Sequence, residues 1–178
     1  AIVEISATDT SQVERLRIKS NGSIKTIASG TGNTAVGEDS GISIDSNNNN
    51  NTFFGFEAGK AVHHADNNTL IGSGAGKLAE DTIHSVAIGY NALDAVTTGG
   101  HYNIAVGVNA LGAATTGEEN VAVGDSAGVS ITDTSNTVLV GSGAGDSINN
   151  TGANGTVAIG KGALGLLTSG ANNIGIGA

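Results

Sequence analysis

A glycine that closes a short apolar run recurs along almost the whole chain, at Gly37, Gly55, Gly72, Gly89, Gly107, Gly124, Gly141, Gly160 and Gly177. The intervals are 18, 17, 17, 18, 17, 17, 19 and 17 residues. A period this regular is the mark of a repeat architecture, and it must be read before any local motif. A unit of this length has no face it can bury alone, so each must stack on the next.

Aligned on that glycine, the columns are chemically uniform. One place before it stand Val36, Phe54, Ile71, Ile88, Val106, Val123, Val140, Ile159 and Ile176. Three before it stand Thr34, Thr52, Thr69, Val86, Ile104, Val121, Val138, Val157 and Ile174, all β-branched and strand-favouring. Four before it are small hydrogen-bonding residues, among them Asn33, Asn51, Asn68, Asn103 and Asn120. Small or apolar residues return three and seven places after it, as at Ala75 and Ala79. Each unit therefore reads as a β-branched strand, a glycine turn, a second short apolar strand and a variable polar loop. Stacked at about 4.8 Å per strand, about nine coils make a rod of roughly 40 Å. The domain division is a β-hairpin lead-in over 1–32, with Asn21-Gly22 suited to a type I′ turn, and a β-solenoid over 33–178.

The first strand is apolar on both faces. Two places before the glycine stand Ala35, Phe53, Leu70, Ala87, Ala105, Ala122, Leu139, Ala158 and Gly175, and none is polar. Alternation sends this column to one face and its two neighbours to the other. One face can fill the coil, and the other needs a cover that identical chains would supply. The expectation is a homo-oligomer.

Composition agrees with thin stacked layers. The chain has 29 Gly and no Pro, Cys, Met or Trp among 178 residues, so disulfides and thiolate metal sites are excluded. The net charge is −9. Residues 31–178 carry −10 of it, from three lysines against thirteen acids, which argues against a nucleic-acid backbone as partner. No apolar run approaches the roughly 18 residues of a membrane span. Starting at Ala1 rather than Met, the chain reads as a fragment of a longer protein, with any targeting segment outside it.

The repeats His84-Ser85-Val86-Ala87-Ile88-Gly89, Asn120-Val121-Ala122-Val123-Gly124 and Thr156-Val157-Ala158-Ile159-Gly160 resemble the YadA-like head repeats of trimeric autotransporter adhesins. The likeness covers about residues 33–178. It implies a left-handed β-roll, an intertwined or side-by-side homotrimer, and attachment to a host surface. The slightly longer units and the loops Thr97–Gly99, Thr115–Gly117 and Thr168–Gly170 are similar to the variant in phage tail-fibre proteins. So is the leading stretch Glu14–Ile18 and Ser20–Ile24. The resemblance thus implies a virion tail fibre that spaces or presents receptor-binding surfaces. A bacterial surface adhesin is the first alternative, and an ice-binding or pure spacer solenoid follows. The ice-binding reading needs a regular Thr array; Thr34, Thr52 and Thr69 begin one, but Val86 and Ile104 end it.

No catalytic constellation is visible, and no cofactor or metal is expected. Gly72-Ser73-Gly74-Ala75-Gly76-Lys77 is not a phosphate loop, because that pattern would place a Gly at Ile71 and a Ser or Thr at Leu78. Recognition, of a host glycan or protein, is expected in the variable loops. The candidate residues are His63, His64, Asp66, Thr97, Thr98, His101, Tyr102, Thr115 and Thr116. Phe53 and Phe54 stand in core columns and read as packing. Phe56 and Tyr90 share the place just after the glycine, where other copies hold Glu38, Asp125 and Lys161, so that column reads as exposed.

Overall fold

A computed structural model describes residues 16–18, 24–26 and 30–178. Two short strands, β1 (Leu16–Ile18) and β2 (Ile24–Thr26), pair antiparallel with Arg17 opposite Lys25. The Asn21-Gly22 turn lies outside the described residues. The rest is an all-β solenoid. Nine three-residue strands stack in chain order into one parallel sheet: β3 (Thr34–Val36), β4 (Thr52–Phe54), β5 (Thr69–Ile71), β6 (Val86–Ile88), β7 (Ile104–Val106), β8 (Val121–Val123), β9 (Val138–Val140), β10 (Val157–Ile159) and β11 (Ile174–Ile176). The register pairs like with like, as in Val86↔Ile104 and Ile88↔Val106. Nine strands bound about eight turns of the solenoid. An isolated parallel bridge, Thr31↔Asn49, carries the stacking slightly ahead of β3.

The anchor glycines explain the period. Gly89 has φ of 141° and Gly107 139°, values that side-chain-bearing residues rarely adopt. A Cβ on Gly89 would also lie 2.3 Å from the carbonyl oxygen of Gly107 on the next coil. Backbone conformation and coil-to-coil approach therefore demand glycine together.

The segment after each glycine differs from expectation. It is a run of stacked turns rather than a second strand. Within one coil, Ala75 N–H donates to Gly72 O and Ala79 N–H to Gly76 O; between coils, Gly76 N–H donates to Ala92 O at 2.9 Å. Each coil therefore closes on itself while still bonding to its neighbour. Two of its residues sit at positive φ in every coil, as in Asn91 (50°) and Leu93 (53°), and a strand cannot hold that conformation.

The core is the column two before the glycine, together with those three and seven after it. Phe53, Leu70, Ala87, Leu139, Ala92, Val96 and Ile131 are fully buried there. The columns one and three before the glycine point outward. Phe54 is consequently 57% exposed, against the reading of it as core, while Phe53 is sealed.

Core volume is shared between two columns. Where the inward strand residue is large, the residue six later is glycine: Phe53 with Gly59, Leu70 with Gly76, Leu139 with Gly145. Where it is alanine, that later residue is usually leucine: Ala87 with Leu93, Ala105 with Leu111, Ala158 with Leu164. A Cβ on Gly76 would meet Leu70 Cδ1 at 2.6 Å, so the two columns compete for one volume. In the coil with Ala122 and Gly128, Leu111 and Leu139 reach in from the neighbouring coils instead. Such interdigitation gives a thin core near-crystalline density. It predicts a coupled swap. Leu70→Ala alone should cost about 2–5 kcal/mol through the cavity it leaves. Gly76→Leu alone should also destabilise, by overpacking. The double variant recreates the Ala87–Leu93 pair and should recover most of the loss in a urea-unfolding double-mutant cycle.

Candidate functional site

The loops leave the stack at one corner, and a buried polar spine holds that corner. Asn33, Asn51, Asn68, Ser85, Asn103, Asn120, Thr137 and Thr156 are all buried, one per coil. Asn68 shows the pattern. Its Nδ2 donates to Asn51 Oδ1 at 3.1 Å and to Thr82 O at 2.6 Å, while its Oδ1 accepts from Ser85 N–H at 2.9 Å. An amide supplies two donors and an acceptor on one planar group, which is what a spine joining successive coils needs. Where the spine passes through Thr137, its Oγ1 donates to Asn120 Oδ1 at 2.8 Å.

Immediately before the spine, every coil has one residue in the left-handed conformation. These are Gly32, Asn50, Asn67, His84, Tyr102, Glu119, Asn136, Gly155 and Asn172, with φ between 57° and 74°. The conformation turns these side chains outward into an exposed file. Asn50 Nδ2 donates to Asn67 Oδ1 at 3.3 Å, and Asn67 Nδ2 meets His84 Nε2 at 3.3 Å. The His84 ring then stacks on Tyr102, with centroids 5.2 Å apart and planes at 11°. His101 packs edge-on to Tyr102 at 6.3 Å, and its Nδ1 accepts from Ile83 N–H at 3.2 Å.

The loop residues singled out from the sequence separate into three groups. His101 and Tyr102 join His84 in the ring cluster. His63 and His64 are exposed; the His64 ring faces Asp81 at 3.5 Å rather than Asp66. Asp66 instead caps the preceding coil, accepting from Asn49 N–H at 2.6 Å. Thr115 Oγ1 and the amides of Thr115 and Thr116 all donate to Thr132 O, which fixes that loop on its neighbour. Thr97 and Thr98 are exposed. His84 and Glu119 escaped sequence reasoning. Their signal is present in the alignment: with Tyr102, they are the non-Asn, non-Gly members of the column preceding the spine.

Charge collects on a different edge. Lys60 Nζ lies 3.1 Å from Asp39 and 2.6 Å from Glu57, and Lys77 Nζ lies 2.6 Å from the other Glu57 oxygen. The hydrogen bonds from Lys60 and Lys77 hold the Glu57 carboxyl below its usual range, and the bond to Glu57 raises Lys60. Asp94 is pushed upward by burial, which its own backbone hydrogen bond and the nearby Lys77 only partly oppose.

Among the described residues no group of three or more His, Cys, Asp or Glu side chains is placed to hold a metal ion. Among them, too, no helix is long and apolar enough to cross a membrane. No protein-family model, curated protein or solved structure matches the chain.

Asn68→Leu strips partners from the Ser85 amide and the Thr82 carbonyl, and each bared group should cost about 1–3 kcal/mol in chemical denaturation. Asp94→Asn should raise the thermal midpoint at neutral pH. A carboxyl whose pKa is raised in the folded state weakens that state once it ionises. The variant's advantage should therefore shrink as pH falls through the carboxylate range.

Proposed function

We propose that the chain is a segment of an attachment fibre, a homo-oligomeric rod that spaces or presents receptor-binding surfaces, and that it has no enzymatic role. The observation carrying this reading is the outward face of the parallel sheet. Val36, Phe54, Ile88, Val123, Ile159, Ile104 and Val138 point outward there, each 36–57% exposed. From β3 to β11 the two outward columns hold Thr, Val, Ile and Phe and not one charged residue. Within the solenoid, over residues 30–178, the acids and lysines sit on the turns and loops instead. A chain with net charge −9 that keeps one full-length stripe free of charge calls for a cover over it.

Identical chains are the natural cover. The stripe runs the whole length of the rod, and a partner must match its length and its repeat. A second copy does both by construction, and closed symmetry lets each stripe meet its equals around an axis. The number three follows the resemblance to trimeric adhesin heads. Repetition of identical loops around such an axis would turn weak contacts into avid attachment. A virion tail fibre is the favoured setting, supported by the Thr-Thr-Gly loops and the leading segment. A bacterial surface adhesin is the second reading, supported by the close copies of the head-repeat motif at Ser85–Gly89 and Asn120–Gly124.

Light scattering tests the reading. The isolated chain should have the mass of three copies. The Ile88→Lys/Val123→Lys pair changes only outward, part-exposed positions, so it should leave the β circular dichroism intact and give a monomer. A folded wild-type monomer would overturn the oligomeric fibre.

A further inference from the structure

The exposed left-handed file beside the spine contains an irregularity that the fold does not require. Six of its nine members are Asn or Gly, the residues that adopt positive φ most readily. The three exceptions, His84, Tyr102 and Glu119, stand on consecutive coils. All three are exposed, with Tyr102 half so at 50%, and core burial therefore does not account for them. A bulky residue held at positive φ without burial is a conformational cost set against something other than packing.

The surroundings give the cluster a defined chemistry. Tyr102 has one ring face on His84 and the edge of His101 beside it. His101 Nδ1 accepts from Ile83 N–H, so the neutral ring carries its proton on Nε2 as a donor. Asn67 Nδ2, bonded to His84 Nε2, lengthens the cluster with a planar amide. The Glu119 carboxylate, one coil beyond Tyr102, has no hydrogen-bond partner among the described residues. The coil that carries Tyr102 is one residue longer than the coils on either side, and the extra residue lies in the Thr97–Tyr102 loop.

We infer that His84, His101, Tyr102 and Glu119 form a binding platform for a neutral pyranose saccharide. Aromatic rings present an electron-rich surface to the apolar C–H face of a sugar, and Tyr adds a polar handle. The His101 Nε2–H donor and the Glu119 acceptor suit the hydroxyl groups at the ring's rim. Glu118 and Glu119 stand side by side on the next coil and disfavour an acidic sugar. This inference rests on the attachment reading for its biological sense and names the ligand class of that surface.

The test replaces the three exceptions with the residue their column prefers. Saturation-transfer NMR is run on the full chain with free glucose, galactose, N-acetylglucosamine and N-acetylneuraminic acid. At least one of the three neutral sugars should give a signal, and N-acetylneuraminic acid should give none. The variant His84→Asn/Tyr102→Asn/Glu119→Asn should lose that signal with a melting temperature equal to wild type or higher. No signal from any neutral sugar overturns the platform, as does a signal that survives in the variant. A variant melting well below wild type assigns the cluster to stability and overturns it equally. Light scattering of the same samples separates the two readings: a three-chain mass without sugar binding removes only the platform. A sugar-binding monomer removes only the oligomeric fibre.

Discussion

Everything in this molecule depends on backbone hydrogen bonds between successive coils. The parallel sheet has only three residues per strand, too few to hold a layer by side chains alone. The ladder therefore extends beyond the strand at both ends. Ile104 N–H donates to Asn120 O just ahead of the strand, and Gly107 N–H donates to Ile88 O just after it. The turns continue it through bonds such as Leu93 N–H to Ala110 O. A spacing of about 4.8 Å is kept around the whole coil only if no side chain intrudes between layers. That constraint places glycine at every anchor position and small amide or hydroxyl side chains along the buried spine.

The same constraint divides the molecule into surfaces with different tasks. The interior is narrow, and so it accepts at most one large residue per layer from these two columns. The outer sheet face repeats an uncharged, largely β-branched stripe, which the proposed oligomer would cover. The turns carry the Lys60–Glu57–Lys77 network, where charge stays solvated and bridges coils. The loop corner is fixed from beneath by the Asn spine, so side chains just outside it stand in a regular file on a rigid base. A recognition surface built on such a file is preorganised, which lowers the entropic cost of binding.

Much of this was legible before the fold was known. The period, the strands and the glycine turns came from column chemistry, because like residues must stack in a register that repeats. The second strand was misread. Alanine and a β-branched residue four places apart look like a short strand, and the intervening Asn or Gly at positive φ leaves only a weak sequence trace. Leu93, Leu111 and Leu164 hide that trace further, since leucine rarely occupies the left-handed region. Phe54 was misassigned to the core because it is as apolar as Phe53, and apolarity alone does not say which face turns inward.

The sequence by itself determined a stacked, repeating β-architecture with two apolar faces on its sheet. Those features are properties of each unit and of its repetition. Only the tertiary structure decided which face is the core. A three-residue strand apolar throughout has no polar side to break the tie. The direction in which the chain turns breaks it, and the small Ala-rich column fits the narrow inside while the bulkier β-branched columns face out. The alignment of His84, Tyr102 and Glu119 is likewise a product of stacking. Residues 17 or 18 apart in the chain become neighbours only when each coil closes and lies on the next.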